Sequence, residues 1–287
     1  MGIQLPSYFA SPAAMSDFGQ HIALVPALPT NLPELVKTVQ GLMVHIFWAK
    51  RYGLDLDETR QAEVQIRPLH AKLSRLLELE NTPLDQPRLP ERRLVGNCRD
   101  FTLLLVSFLR AQGKPARSRC GFGTYFMPGH YEDHWVAEVW DGTDWRLVDA
   151  QLDALQCEML GIQFNPLNLP KGAFLTGGQA WQICRAGKVD PKDFGIFDMH
   201  GWNFIAGDLI RDALALRKFE ILPWDFWEGM GPSLEDNPPA SVVERVDRLA
   251  ACTANFDTNP EGLWAELDNS GWMPPENLGN SLIACSL

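Results

Sequence analysis

Val95-Gly96-Asn97-Cys98-Arg99-Asp100-Phe101 leads directly into Thr102-Leu103-Leu104-Leu105-Val106-Ser107-Phe108-Leu109-Arg110-Ala111-Gln112-Gly113. Phe101, Leu104, Leu105, Phe108 and Leu109 recur at spacings of three and four, so one stripe of a helix faces a core. Leu103 and Val106 make the remaining surface apolar too, which predicts cover on several sides. Gly113 suits the position after a helix end, and Pro115 forbids continuation. Asn97 can cap the other end, and Asp100 sits well in the first turn. Cys98 therefore falls at or next to the first helical position. Unsatisfied N–H groups and the positive end of the helix dipole favour a thiolate there. A free cysteine taken by itself is more often a buried structural residue, so the downstream sequence has to decide.

Ala116 to Phe126 begins as a strand and loosens at Gly121 and Gly123. Glu132-Asp133-His134-Trp135-Val136-Ala137-Glu138-Val139-Trp140 reads as a strand, Asp141-Gly142-Thr143-Asp144 as a turn, and Trp145-Arg146-Leu147-Val148-Asp149 as the returning strand. A hairpin closed at this turn pairs Asp141 with Asp144 and Trp140 with Trp145. Val136 then faces Asp149 and His134 faces Gln151. His134 and Asp149 become diagonal neighbours on one face, roughly 7–8 Å apart at the backbone. An odd-length turn would send one of them to the opposite face. A thiol needs a base, and the base needs a third group to fix its tautomer, so Cys98, His134 and Asp149 form a candidate relay. Asp133 points to the other face of its strand and is not the acid.

These blocks resemble the transglutaminase-like superfamily. Val95 to Phe101 with Phe108 to Arg117 resembles its nucleophile helix, His134 to Trp140 its histidine strand, and Trp145 to Asp149 its aspartate strand. The resemblance implies an α+β, papain-like fold in which the nucleophile helix packs on an antiparallel sheet, with helical N- and C-terminal additions. It gives Cys98, His134 and Asp149 the roles of nucleophile, general base and orienting acid. The superfamily includes cross-linking transglutaminases, peptide N-glycanases, proteases and amide synthases, so the resemblance speaks to machinery more than substrate. Animal transglutaminases are far longer and carry calcium sites, and this chain shows no EF-hand-like loop. N-glycanase relatives usually carry CxxC pairs, and cysteines 98, 120, 157, 184, 252 and 285 include none. Leu209 to Leu214 and Leu222 to Asp225 resemble flanks of small bacterial transglutaminase-domain proteins. Residues 1–287 read as a single domain with a catalytic core at about 60–160, and 161–287 as a C-terminal extension packed on it.

With 287 residues, 46% of them hydrophobic, the chain can bury a large core. Its net charge of −11, with no dense Lys/Arg run, argues against a nucleic-acid surface. No apolar run reaches membrane-spanning length, and the start lacks a signal-peptide pattern. Six dispersed cysteines without an export signal suggest reduced thiols and a cytoplasmic setting. The constellation calls for no cofactor and no metal. The expected partner is a peptide, protein or small-molecule amide substrate, and the oligomeric state stays open.

Elsewhere, residues 1–30 look irregular, Leu32 to Tyr52 reads as a helix, and Gln61 to Leu79 as a second one interrupted near Pro68. Residues 81–90 and 165–171 are proline-rich loops. Gly201 to Lys218 is a helix, 232–239 a connector and 235–254 a last helix before an irregular tail. His45 and His70 read as packing or surface residues, and His130 with His134 is weak evidence for a metal. Asp198 to Trp202 could border a pocket. Trp202, Trp224, Phe226 and Trp227 form an aromatic group suited to packing or a lid. Arg117 and Arg119 could meet a substrate carboxylate, although salt-bridged arginines are commoner. Gly121-Phe122-Gly123 is no phosphate loop, because no helix start follows. The chemistry that fits is acyl transfer at an amide or peptide carbonyl through a thioester on Cys98, hydrolysis ranking first. Transfer to an amine by a transglutaminase or amide synthase, and a non-catalytic binding role, stay open.

Overall fold

The computed structural model describes residues 5–231, 234 and 238–276, and the helix marked by the sequence runs through Cys98–Ala111. In chain order the helices are α1 (Leu5–Phe9), α2 (Leu32–Leu42), α3 (Glu58–Ala62), α4 (Leu69–Leu79), α5 (Cys98–Ala111), α6 (Ala154–Leu160), α7 (Gly177–Arg185), α8 (Trp202–Leu216), α9 (Ala240–Ala254) and α10 (Pro260–Asn269). The strands are β1 (Met43–His45), β2 (Leu94–Gly96), β3 (Ala116–Gly123), β4 (Tyr131–Trp140), β5 (Trp145–Val148), β6 (Phe174–Thr176), β7 (Phe194–Ile196) and β8 (Met199–His200). This is the expected α+β mixture. By internal contacts the described residues form two compact units, 5–118 with 136–169 and 119–135 with 170–276.

In the unit of 5–118 and 136–169, every residue of α5 from Cys98 to Arg110 is buried. Phe101, Leu104, Leu105 and Phe108 share one core with Leu35 and Val39 of α2, Leu69 and Leu73 of α4, and Ala137, Val139 and Val148 of the hairpin. Full burial of each large apolar side chain contributes about 1.5–3 kcal/mol. The hairpin has the register that the turn dictates: Ala137 faces Val148, Glu138 Leu147, Val139 Arg146, and Trp140 Trp145. Asp141 closes the turn. Its N–H donates to the Asp144 carbonyl at 3.1 Å, and its Oδ1 accepts the N–H groups of Thr143 and Asp144 at 3.0 Å each.

In the unit of 119–135 and 170–276, β3 pairs antiparallel with β6 through Gly121–Thr176, Phe122–Leu175 and Gly123–Phe174. β4 pairs parallel with β7, and β7 antiparallel with β8. Helix α7 packs against both α8 and α9.

The structure departs from the sequence reading in several elements. The helix expected over Leu32–Tyr52 stops at Leu42, because Met43–His45 pairs in parallel with Leu94–Gly96 instead. The chain then turns as a 3-10 helix over Ile46–Tyr52, whose first turn is capped by the His45 side chain. The interruption expected near Pro68 is present: α3 and a 3-10 turn end at Gln65, and Pro68 precedes α4. The tail is not irregular throughout, since Asn259 caps and Pro260 opens α10. Helix α9, expected from residue 235, begins at Ala240 and is not the last. Residues 232, 233 and 235–237 of the expected connector and helix start lie outside the described residues. No helix among the described residues is long and apolar enough to cross a membrane.

Candidate active site

Cys98 is the first residue of α5 and is 7% exposed. The segment that delivers it is held by buried charge. Asp100 Oδ2 accepts the Asn97 N–H at 3.0 Å, while Asp100 Oδ1 lies 2.9 Å from both Lys72 Nζ and Arg99 NH1. Arg99 NH1 also donates to the Arg67 carbonyl at 2.8 Å. Burial pushes the Asp100 carboxyl up, but Lys72 and Arg99 outweigh it and hold it below the ordinary carboxylate range. Burial brings Lys72 down to about 8, although Asp100 opposes this. One strand earlier, Glu63 Oε2 accepts the Val95 N–H at 2.8 Å, and its Oε1 pairs with Arg60 at 3.0 Å and Arg75 at 2.9 Å. Helix start and preceding strand are thus braced by carboxylates whose own charge is matched. Asn97 Nδ2, one residue before Cys98, is buried and has no hydrogen-bond partner among the described residues.

Asp149 follows β5 directly and is fully buried. Its Oδ1 accepts the N–H groups of Gln151 at 2.9 Å and Leu152 at 3.4 Å, which fixes the plane of the carboxylate. Its own N–H donates to the Pro166 carbonyl at 2.8 Å. The following backbone is tied down by Gln40 of α2, which donates to the carbonyls of Ala150 and Leu152. Gln151 donates to Gln156 at 3.0 Å, and Gln156 donates to the Tyr52 hydroxyl at 3.1 Å. Tyr52 in turn donates to Asp153 at 2.6 Å. Burial and this bond raise the Tyr52 phenol well above its usual range, so it stays a donor.

His134 lies on β4 and is 2% exposed. Its ring meets Phe126 edge-to-face at 4.8 Å between centroids and Tyr125 at 6.0 Å. Such aromatic walls restrict ring rotation. Cys98 and Asp149 belong to the unit of 5–118 and 136–169, and His134 to the unit of 119–135 and 170–276. Sequence reading missed Tyr125 and Phe126, which sit beyond the weakening of β3. It also missed Glu63 and Lys72, although Lys72 shares the stripe of Leu69, Leu73 and Leu76, a signal that could have marked it.

The remaining candidates resolve individually. Arg117 pairs with Glu138 and lies over the Trp145 ring at 4.2 Å. Arg119 makes two 2.8 Å bonds to Asp212, so both arginines are structural ion-pair members in the structure. His45 is a buried cap, and His130 packs its ring on His200 at 5.3 Å. Asp198, Met199 and His200 line a cavity of about 750 Å³ together with Asp133, Arg211 and Trp272. Trp224 and Phe226 join its wall and are exposed, whereas Trp227 is buried and Trp202 packs on Trp181 at 4.9 Å. The four aromatics are therefore not one group.

Among the described residues, the one set of three donors close enough for a metal is Cys120, Asp133 and Asp208, whose ligand atoms lie within 4.8 Å of one another. Burial, reinforced by the facing carboxyls, raises Asp208 well above the carboxylate range and Cys120 well above the thiol range. Burial also raises Asp133, against the pull of Arg211.

Residues 68–150 match the family model of the transglutaminase-like superfamily. Cys98, His134 and Asp149 all fall inside that span. No curated protein and no solved structure matches the chain.

Proposed function

Since residues 68–150 of this chain are a transglutaminase-like segment, we propose that the protein is a cysteine-dependent acyl-transfer enzyme with Cys98 as nucleophile, His134 as general base and Asp149 as orienting acid. The observation that carries this reading is Cys98 at the first position of α5, inside the matched span. The hairpin register supports the pairing of roles. Ala137 facing Val148 is the register that the sequence reading of the turn calls for.

The chemistry runs in two halves. Cys98 Sγ, having passed its proton to His134, attacks an amide carbonyl carbon. The tetrahedral oxyanion accepts the Cys98 backbone N–H and the unpartnered Asn97 Nδ2 as donors. The C–N bond then breaks as His134 returns the proton to the departing amine, leaving a thioester. In the second half His134 takes a proton from water, the hydroxide adds to the thioester carbon, and the C–S bond breaks to release a carboxylic acid and restore the thiol. Asp149 stays ionised and holds the imidazole tautomer. Hydrolysis ranks first because water needs no binding site of its own.

Incubation with a pool of peptides and small amides, acid quench and mass spectrometry tests the reading. The expected result is an acyl adduct on Cys98, absent in Cys98→Ala, with Asp149→Asn slowing turnover by about 10⁴-fold. Amide cleavage retained by folded Cys98→Ala would remove the assignment. Incorporation of a labelled primary amine in preference to water would move the enzyme from hydrolase to transferase.

A further inference from the structure

Cys120 on β3, Asp133 on β4 and Asp208 on α8 belong to one unit and bring three donor atoms within 4.8 Å of one another. Cys120 and Asp208 are fully buried, and Asp133 is 9% exposed. Asp133 Oδ1 and Asp208 Oδ2 are buried with no hydrogen-bond partner from outside the cluster among the described residues; within it the two carboxyls and the Cys120 thiol face one another. A buried carboxylate oxygen left unmatched is expensive, and here two occur in one cluster. Arg211 reaches Asp208 Oδ1 at 3.3 Å and spends another N–H on the Pro223 carbonyl. Arg119 is engaged bidentately by Asp212, which also accepts the Cys120 N–H at 3.0 Å.

We propose that Cys120, Asp133 and Asp208 form a binding site for one borderline divalent cation of the zinc class, with the fourth position open to the cavity that Asp133 lines. The donor set selects the ion. A thiolate suits zinc or cobalt, whereas magnesium and calcium require six or more oxygen ligands and find two carboxylates here. In a tetrahedral zinc site the donor atoms stand about 3.3–3.5 Å apart, so closing from 4.8 Å takes side-chain shifts of about an ångström. The Arg119–Asp212 pair and the Cys120 N–H bond already fix β3 against α8 and act as the outer shell. Asp133 is the ligand that also borders the 750 Å³ cavity, so a water or a ligand headgroup completes the coordination from that side. The site is separate from the acyl-transfer reading and stands without it.

Cobalt(II) titration of the full chain in a Cys98→Ala background, which removes the thiol proposed as nucleophile, tests the proposal. One equivalent should produce a thiolate-to-cobalt charge-transfer band in the near ultraviolet together with tetrahedral visible bands, and one equivalent of zinc should abolish them. Cys120→Ser should lose the charge-transfer band. Asp133→Asn, on the cavity side and less disruptive to the fold than a change at Asp208, should weaken zinc binding in equilibrium dialysis by more than the about 10–100-fold expected for an outer-shell loss. A background protein that develops no band at one equivalent holds a shared proton between its carboxyls instead, and the proposal fails. A band that survives in Cys120→Ser assigns the metal to another thiol and overturns it equally.

Discussion

Lys72 lies on the apolar stripe of α4 between Leu69 and Leu73, fully buried, with its ammonium 2.9 Å from Asp100. Burial lowers its pKa from 10.5 to about 8 despite that neighbour. The unfolded chain therefore holds the Lys72 proton more tightly than the fold between pH 8 and about 10.5, and folding stability gains from this group as pH rises through that window. Below pH 8 both states are protonated and the penalty is at its full, constant size. Denaturant midpoints of the wild type and Lys72→Met, compared at pH 7.5 and pH 10, should shift relative to each other in favour of the wild type at the higher pH. An unchanged difference would mean that the ammonium is not desolvated. Residue roles of this kind were the hardest to read from the chain. Glu63 and Lys72 look like surface charges of short helices, and only the tertiary packing of β2 and α5 turns them into a brace. Cys98, by contrast, was legible, because capping and termination signals bracket its helix from both ends.

Among elements, the junction of β2 and α5 is tightly fitted. A Cβ at Gly96 would stand 2.8 Å from Asp100 Oδ2 and overlap the Met43 methyl. Gly96→Ala should displace the carboxylate that closes the helix start and lower stability by about 1–3 kcal/mol, the usual penalty of overpacking. Urea denaturation measures it, and a change below about 0.5 kcal/mol would mean the junction yields freely. The hairpin register from Ala137–Val148 to Trp140–Trp145 was readable because its turn chemistry and its alternation are both local. β1 was not: Met43–His45 continues a helical pattern, and only its remote partner Leu94–Gly96 draws it into a strand. Helix α10 was missed although Asn259 and Pro260 announce it and Leu263, Trp264 and Leu267 follow at helical spacing.

At the scale of the molecule, 36 acidic against 25 basic side chains surround the proposed chemistry with a negative field. Long-range attraction of this kind acts on association rates and is screened within about 8 Å at physiological ionic strength. A cationic amide substrate should therefore show a higher kcat/KM than its anionic analogue at low salt, with the ratio falling toward unity as salt is raised. A ratio that ignores salt would show that the field at the site is not set by the overall charge. The α+β class and the order of the three proposed catalytic residues were visible in the linear pattern. The division into units that interleave along the chain was not, since it depends on which distant segments share a core. The Asp141–Asp144 turn carries one more consequence. Successive residues of β5 point to opposite faces and Val148 is fully buried, so gaining or losing a single residue at this corner would turn the returning strand inside out. Lineages of this protein should drift in length there by twos, keeping the phase of everything that follows.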